Sequence, residues 1–220
     1  MKHEFLQFLL ESKVLKFGDF TTKSGRKTPY FINTGEFQTG AQIAKLSGFY
    51  ATLIADKFRG KIDNLYGPAY KGIPLAVATS MTLAQNHNIN LSYTFNRKEI
   101  KDHGEGGMLV GDKYNTPQKV LIIEDVITAG TSIQETMEAL KDLKQIEVVG
   151  LVISVNRKEQ VGSGKSAIQE VEEKYGLETH SIADIEDIIS LVESKTIREK
   201  FNIPENCVPA IKEYREKYGV

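Results

Sequence analysis

The hydrophobic and polar positions follow one pattern up to about Thr39 and another after it. Residues 3–12 place apolar side chains at the spacing of a short amphipathic helix. Residues 14–33 instead hold aromatic and β-branched side chains between Gly and Pro, which is typical of short strands and turns. From Thr39, a residue suited to an N-cap, segments of helical spacing alternate with short apolar runs. The pattern predicts a small N-terminal hood followed by an alternating α/β body.

The body is predicted to form a doubly wound parallel sheet. The predicted strands cover residues 64–66, 91–96, 120–123 and 148–155. The predicted helices cover residues 43–55, 73–85, 131–143, 167–175, 185–192 and 210–218. Strands that alternate with helices imply parallel pairing, and such sheets bind ligands beyond the carboxyl ends of their strands. Residues 97–117 are polar and lack an apolar period, so we expect a long loop there.

Length and composition indicate one unit spanning residues 1–220. The residue pattern adds to it a hood at about 14–38 and a mobile loop at about 97–115. Hydrophobic residues make up 40% of the chain and charged residues 26%, which are ordinary values for a soluble globular protein. The net charge of -1 does not indicate a nucleic-acid or membrane partner. With one cysteine, no secretory signal pattern and no apolar run of membrane-spanning length, the chain is expected in the cytoplasm.

The most informative segment is residues 120–132, which read V-L-I-I-E-D-V-I-T-A-G-T-S. An apolar strand ends in two adjacent acids, and a turn of small residues then opens a helix. Unpaired amides at a helix start favour a phosphate group, hydroxyls in the turn add donors, and Gly130 permits close approach of the backbone. The acids would repel that phosphate, so they suit sugar hydroxyls or a metal on a second phosphate. The alternative is that the acids merely end a strand and Thr131 caps a helix.

A second segment, residues 96–107, reads N-R-K-E-I-K-D-H-G-E-G-G. Its cations and histidine suit a pyrophosphate group, and its glycines allow a hinge motion. Long loops inside a compact domain are usually functional or disordered. The alternative is a solvated surface loop.

Nearly the whole chain resembles the type I phosphoribosyltransferases, and in particular their orotate branch. Residues 120–132 resemble the family's motif for phosphoribosyl pyrophosphate (PRPP), and residues 96–107 resemble the mobile catalytic loop of orotate phosphoribosyltransferases. Residues 67–74 resemble the family's pyrophosphate loop, and residues 23–33 resemble its hood. The resemblance implies transfer of ribose phosphate from PRPP to orotate, yielding orotidine 5′-monophosphate and pyrophosphate in de novo pyrimidine synthesis.

The resemblance also implies particular site residues and partners. The implied PRPP-binding residues are Lys23, Tyr70, Lys71, Arg97, Lys98, Lys101, His103, Glu124, Asp125, Val126, Ile127, Thr128, Ala129, Gly130, Thr131 and Ser132. The implied orotate-binding residues are Phe31 and Ile32, through their backbone, together with Thr128 and Arg157. Lys101, His103 and Asp125 are the implied catalytic residues. Mg²⁺ is expected to be held mainly through PRPP, with no dedicated protein ligands, and the active form is expected to be a homodimer whose subunits share the catalytic loop.

Three positions depart from the family pattern. Glu124 stands where aspartate is common, so the two acids need not share the ribose in the usual way. Ile32 replaces a frequent phenylalanine, which matters little if the contact is through backbone. Asn156 precedes Arg157 where aspartate is usual, which leaves the orientation of Arg157 open.

Two alternative functions and one further motif bear on this interpretation. A phosphoribosyltransferase for another base would keep the PRPP motif, but it would not be expected to match the hood, the 96–107 loop and Arg157 together. A PRPP-binding regulator should carry a basic face or an added nucleic-acid-binding segment. Residues 162–166 read G-S-G-K-S and look like the end of a P-loop, but Glu159 stands where that motif needs glycine. We therefore interpret them as a turn before the next helix.

Overall fold

The computed structural model describes residues 1–22, 25–101, 107–127 and 130–220, without the side chains at 98–101 and 107. Its helices are α1 (Lys2–Glu11), α2 (Gly40–Lys57), α3 (Gly72–His87), α4 (Thr131–Leu140), α5 (Ala167–Tyr175), α6 (Ile185–Glu193), α7 (Lys195–Lys200) and α8 (Cys207–Tyr218). Its strands are β1 (Leu15–Thr21), β2 (Lys27–Ile32), β3 (Asn64–Tyr66), β4 (Ser92–Lys101), β5 (Gly107–Gly111), β6 (Gln118–Ile123), β7 (Ile146–Asn156) and β8 (Glu178–Asp184). The predictions did not include α7 or β8.

The main sheet has six strands in the order β5-β4-β3-β6-β7-β8. The pairs among β4, β3, β6, β7 and β8 are parallel, as predicted. The edge strand β5 runs antiparallel to β4, so the sheet is mostly rather than wholly parallel.

The prediction of a loop over residues 97–117 was wrong for part of that segment. Strand β4 continues to Lys101, and β5 pairs with it from Gly111 opposite Thr94 to Gly107 opposite Lys101. An edge hairpin is held by backbone hydrogen bonds and can leave its side chains in solvent, so it needs no apolar period. The centre of the predicted mobile loop, residues 102–106, lies outside the described residues.

Helices cover both faces of the sheet. The four residues Val120 to Ile123 are fully buried, as predicted for a central strand. Leu121 and Ile123 face a core formed with α1, α2, α3, α6 and α8. Val120 and Ile122 face a second core formed with α4 and α5. Within the described ranges, no helix is both long enough and apolar enough to cross a membrane.

The predicted hood is an antiparallel hairpin of β1 and β2, followed by a short 3-10 turn at Thr34–Glu36. Tyr30 of β2 is buried and packs edge-on against Tyr214 of α8, with 6.1 Å between the ring centroids, and the Tyr214 ring lies 5.0 Å from that of Tyr218. The Thr39 side chain then caps α2 by accepting a hydrogen bond from the backbone of Gln42, as its position in the sequence predicted. The hood is thereby packed against the C-terminal helix at one end and continues into the body at the other.

Candidate active site

Two loops meet at the carboxyl edge of the sheet because β3 and β6 are parallel neighbours, with Tyr66 opposite Ile122. The loop after β3 folds tightly: a Cβ atom on Gly67 would lie 2.1 Å from the carbonyl oxygen of Gly72. Only glycine permits this approach, and the peptide bond between Ala69 and Tyr70 is cis. The turn places Lys71 at the start of α3, facing the end of β6.

Thr34, Lys71 and Asp125, which we call the acid cluster, meet at this edge. The Lys71 ammonium donates to Oδ2 of Asp125 at 3.0 Å and to the hydroxyl of Thr34 at 3.1 Å. The Thr34 hydroxyl in turn donates to the same Asp125 oxygen. Three separate segments, the hood, the loop after β3 and the end of β6, therefore converge on one carboxylate.

The two adjacent acids differ in their ionisation. Burial, and then the negative charge of Asp125, raise the pKa of Glu124 to about 8. Burial also disfavours the charge on Asp125, but hydrogen bonds from Thr34, the Val126 backbone and Lys71 outweigh it and hold the pKa of Asp125 below its ordinary value. At neutral pH the pair therefore carries a proton mainly on Glu124, and Asp125 is the ionised member.

The backbone of the acid pair is fixed from two sides. The Tyr50 hydroxyl of α2 donates to the carbonyl oxygen of Glu124 at 2.7 Å. The Ser154 hydroxyl of β7 donates to the carbonyl oxygen of Asp125 at 2.6 Å. These bonds hold the end of β6 in place whatever the charge of the carboxylates.

The predicted phosphate turn leads into α4 as expected. Gly130 has φ of 72°, a left-handed conformation that favours glycine, and α4 begins at Thr131. Thr131 and Ser132 are exposed. The Ile127 side chain is buried in the second core, so a ligand could contact Ile127 through its backbone. Thr128 and Ala129 lie outside the described residues. No side chain among the described residues caps the start of α4.

Tyr30, Arg157 and Glu159 form a second group, which we call the arginine cluster. Oε1 of Glu159 accepts hydrogen bonds from Nε of Arg157 at 2.8 Å and from Nη2 at 2.6 Å. The Arg157 guanidinium also lies over the ring of Tyr30, 4.7 Å from its centroid. Burial alone would lower the pKa of Arg157, but Tyr30 and Glu159 outweigh burial and raise it. Arg157 is thus a buried, permanently charged group, not the surface arginine that its position alone would favour.

The remaining predicted residues that the structure describes belong to neither cluster. Tyr70 is 67% exposed, and Phe31 is 37% exposed and stacks on Phe20. Ile32 is partly buried against the first core, and Arg97 lies on β4. Lys23 and His103 lie outside the described residues, as do the side chains of Lys98 and Lys101. The ligand roles assigned to all these residues stay predictions.

Sequence reasoning missed Thr34 and Glu159. Thr34 lies 91 positions from Asp125, and a single threonine in a turn carries no signal of such a contact. Glu159 stands two positions after Arg157 and forms an ion pair with it. An acid so close to a predicted anion-binding arginine is the signal that could have identified Glu159. The turn at residues 162–166 is confirmed: Ser166 caps α5, and Lys165 pairs with Glu173 at 2.5 Å.

Comparisons with known proteins agree on one family. The family model described as "Phosphoribosyl transferase domain" matches residues 33–178. An orotate phosphoribosyltransferase of Clostridium acetobutylicum is 49% identical over 219 residues, covering 100% of this chain and 98% of the relative. The crystal structure of the orotate phosphoribosyltransferase of Francisella tularensis is 41% identical, with a TM-score of 0.84 over 99% of this chain and 100% of that one. Leishmania donovani UMP synthase, at 22% identity, shares the fold, with a TM-score of 0.74 over 98% of this chain and 42% of that one. The chain therefore belongs to the phosphoribosyltransferase family, among its orotate phosphoribosyltransferases.

Proposed function

We propose that the chain transfers the 5-phosphoribosyl group from PRPP to orotate, forming orotidine 5′-monophosphate and pyrophosphate in de novo pyrimidine synthesis. Full-length similarity at 49% identity to an orotate phosphoribosyltransferase supports the choice of substrate. The observation that carries the proposal is the acid cluster, which brings an ionised carboxylate, a lysine and a hood hydroxyl to the sheet edge where ligands bind.

PRPP would bind along this edge. Asp125, ionised at neutral pH, accepts hydrogen bonds from the ribose hydroxyls, and Glu124 lies beside it. The backbone amides at the start of α4 and the hydroxyls of Thr131 and Ser132 receive the 5′-phosphate, because the positive end of a helix favours an anion. Lys71 exchanges Asp125 for the pyrophosphate group, which its exposed position permits.

In the reaction, a nitrogen of orotate attacks the anomeric carbon while the bond from that carbon to pyrophosphate breaks. The electron pair of that bond leaves with pyrophosphate, so positive charge develops on the ribose and negative charge on the leaving group. Lys71, Arg97, Lys98, Lys101 and His103 stabilise the negative charge where it develops. Lys101 or His103 donates a proton to the leaving group. Closure of the 97–115 segment over the site excludes water that would hydrolyse PRPP. This segment and the hood belong to the same domain.

Mg²⁺ would be held mainly by oxygens of PRPP. This ion usually combines substrate phosphates with one or two carboxylates and several waters. Among the side chains that the structure describes, no group of three or more His, Cys, Asp or Glu residues is arranged to hold a metal. In the proposed complex Asp125 accepts hydrogen bonds from Thr34 and from the ribose hydroxyls, which fits an ion carried by the phosphate oxygens of the substrate. When bound, Mg²⁺ would neutralise part of the charge on pyrophosphate.

The active form we propose is a cytoplasmic homodimer in which each site takes Lys98, Lys101 and His103 from the neighbouring subunit. The single cysteine, buried Cys207, suits a reducing compartment. Mixed dimers of a Lys101→Ala subunit and an Asp125→Asn subunit test the sharing. Each mixed dimer should contain one intact site and regain activity that both parent variants lack. Absence of any regained activity in verified mixed dimers would contradict it.

The proposed reaction is tested by loss of orotate absorbance after purified protein, PRPP and Mg²⁺ are combined, with uracil and hypoxanthine as parallel substrates. Consumption of orotate alone is the expected result. Activity with another base only would keep the PRPP site but replace the proposed substrate. PRPP binding without any base consumption would favour a regulator, and salt-dependent binding of nucleic acid would then test that alternative.

A further inference from the structure

Arg157 is a buried cation and needs a fixed partner. Its side chain is 8% exposed, and a guanidinium removed from water is costly unless it is paired and hydrogen-bonded. Glu159 provides that partner from only two positions away. Lys158, between them, has φ of 48°, and its backbone N–H donates to the Asn156 side chain at 2.9 Å. This reversal of the chain turns Glu159 back toward Arg157. The orientation of Arg157 is therefore fixed even though Asn156, and not aspartate, precedes it.

One oxygen atom makes nearly all of the contacts of Glu159 within the cluster. Oε1 accepts from Nε and Nη2 of Arg157 at 2.8 and 2.6 Å, and from the Tyr30 hydroxyl at 2.9 Å. Among the described residues, the other oxygen, Oε2, accepts only a long contact from Arg26 at 3.5 Å. The position of Oε1, more than the total charge, therefore determines where the guanidinium lies.

Glu159 is itself held by surrounding backbone. It forms a β-bridge with Gly219, and the next residue, Gln160, donates from its backbone N–H to the carbonyl oxygen of Tyr218 at 2.8 Å. Arg26, which contacts Oε2, also lies over the Tyr218 ring, 4.4 Å from its centroid. The carboxylate is thus anchored between the hood and the C-terminal helix before any ligand binds.

We infer that Glu159 is a positioning residue for the pyrimidine site, holding Arg157 by one edge so that its other donors stay aimed at substrate oxygens. A guanidinium has five N–H donors, and Glu159 takes one on Nε and one on Nη2. The inference rests on the proposed function, since it takes orotate as the ligand of Arg157. A misplacement of about 1 Å is enough to lower the rate strongly, so an anchored guanidinium favours both binding and catalysis.

The experiment separates position from charge by comparing Glu159→Gln with Glu159→Asp. Gln keeps an oxygen at the place of Oε1 but removes the charge, and Asp keeps the charge but withdraws the oxygen by one methylene. Positioning predicts that Asp raises the KM for orotate about tenfold or more, the loss expected when a hydrogen bond to a charged group is broken. Gln should raise it by less than about threefold, and the KM for PRPP should change by less than about twofold in both.

Glu193, whose pair with Lys212 at 2.8 Å lies on the surface between α6 and α8, provides the matched control. Glu193→Asp and Glu193→Gln should leave both KM values unchanged. If Glu159→Gln is as harmful as Glu159→Asp, or if both KM values rise together, the positioning role is wrong. Wild-type protein that does not consume orotate would overturn the proposed function, and the inference with it. Active wild-type protein with an unchanged Glu159→Asp variant would overturn the inference alone.

Discussion

The acid cluster and the arginine cluster are built from the same parts but differ in how tightly they are closed. Each joins the hood to the sheet edge through an ion pair and a hydroxyl group, Thr34 in one and Tyr30 in the other. In the acid cluster the lysine side chain is 58% exposed and the aspartate 13% exposed. In the arginine cluster the two charged side chains are only 8% and 19% exposed.

The difference matches what each cluster would have to do. An exposed lysine is a flexible point charge that can leave one anion for another, whereas a buried arginine presents a rigid planar fork. In the proposed function, Lys71 would exchange Asp125 for a phosphate group of PRPP. Arg157 would stay with Glu159 and meet the pyrimidine in a prepared orientation.

The largest expected effect comes from Arg157→Met, which removes the close cation of the Glu159 carboxylate and leaves it the long contact from Arg26 at 3.5 Å. Breaking one side of a buried pair typically costs about 3–5 kcal/mol, and the partial exposure of Glu159 lowers this to about 2–3 kcal/mol. Urea unfolding measures the loss. Arg157→Lys keeps a charge, so its free energy of unfolding should lie between those of Arg157→Met and wild type. An unchanged free energy of unfolding would show that the cluster does not hold the hood.

A second effect, expected from Glu124→Gln, should depend on pH. The pKa of Glu124 is raised in the folded state, so its favourable contribution is complete below its unfolded pKa and is lost as pH rises toward about 8. Stability should fall over that range by at most about 1.4 kcal/mol per pH unit. Glu124→Gln should remove this slope, which unfolding of ligand-free protein at pH 5 to 8 would measure. The same slope in both proteins would rule out Glu124 as its source.

Thr34→Val should cost about 1 kcal/mol, the usual contribution of one hydrogen bond. The bond from Thr34 helps to keep the pKa of Asp125 low, against the effect of burial. Its loss should raise that pKa and move the acid limb of kcat/KM for PRPP to higher pH. Thr34→Ser, which keeps the hydroxyl, should behave like wild type. Equal acid limbs in the two variants would mean that the hydroxyl has no part in the site.

The smallest expected change in stability follows Lys71→Met. Exposed ion pairs contribute about 0–1 kcal/mol, so the unfolding free energy should hardly change although the KM for PRPP rises. Thermal unfolding and steady-state kinetics on one preparation measure both quantities. A loss of stability as large as that of Arg157→Met would remove the contrast between the two clusters.

The sequence predicted the features that depend on neighbouring residues. The apolar run at residues 120–123 is continuous, which is typical of a central strand buried on both faces, and this strand and the acids directly after it were confirmed. The α5 helix was predicted with its observed bounds, Ala167–Tyr175, because its period and cap are local. Strand β5 was missed because its pairing is supplied by the backbone of β4.

The contacts of Thr34 and Glu159 could not be predicted for a different reason. They join residues 91 and 129 positions apart, Thr34 with Asp125 and Tyr30 with Glu159. Such contacts depend on how the hood packs on the finished sheet, and no spacing rule within a segment expresses that packing. The family resemblance assigned a role to Arg157 but did not indicate what holds it.

The arginine cluster also affects the order in which the site can form during translation. Its hood residues, Arg26 and Tyr30, are synthesised long before Glu159 and the helix that carries Tyr218. Because a nascent chain emerges from its N-terminus, the hood must wait for almost the whole body before its partners exist. All residues of the acid cluster, by contrast, are present once Asp125 has been added. The ribosome thus delivers the parts of the acid cluster first, and the arginine cluster is completed only after α8 has been added.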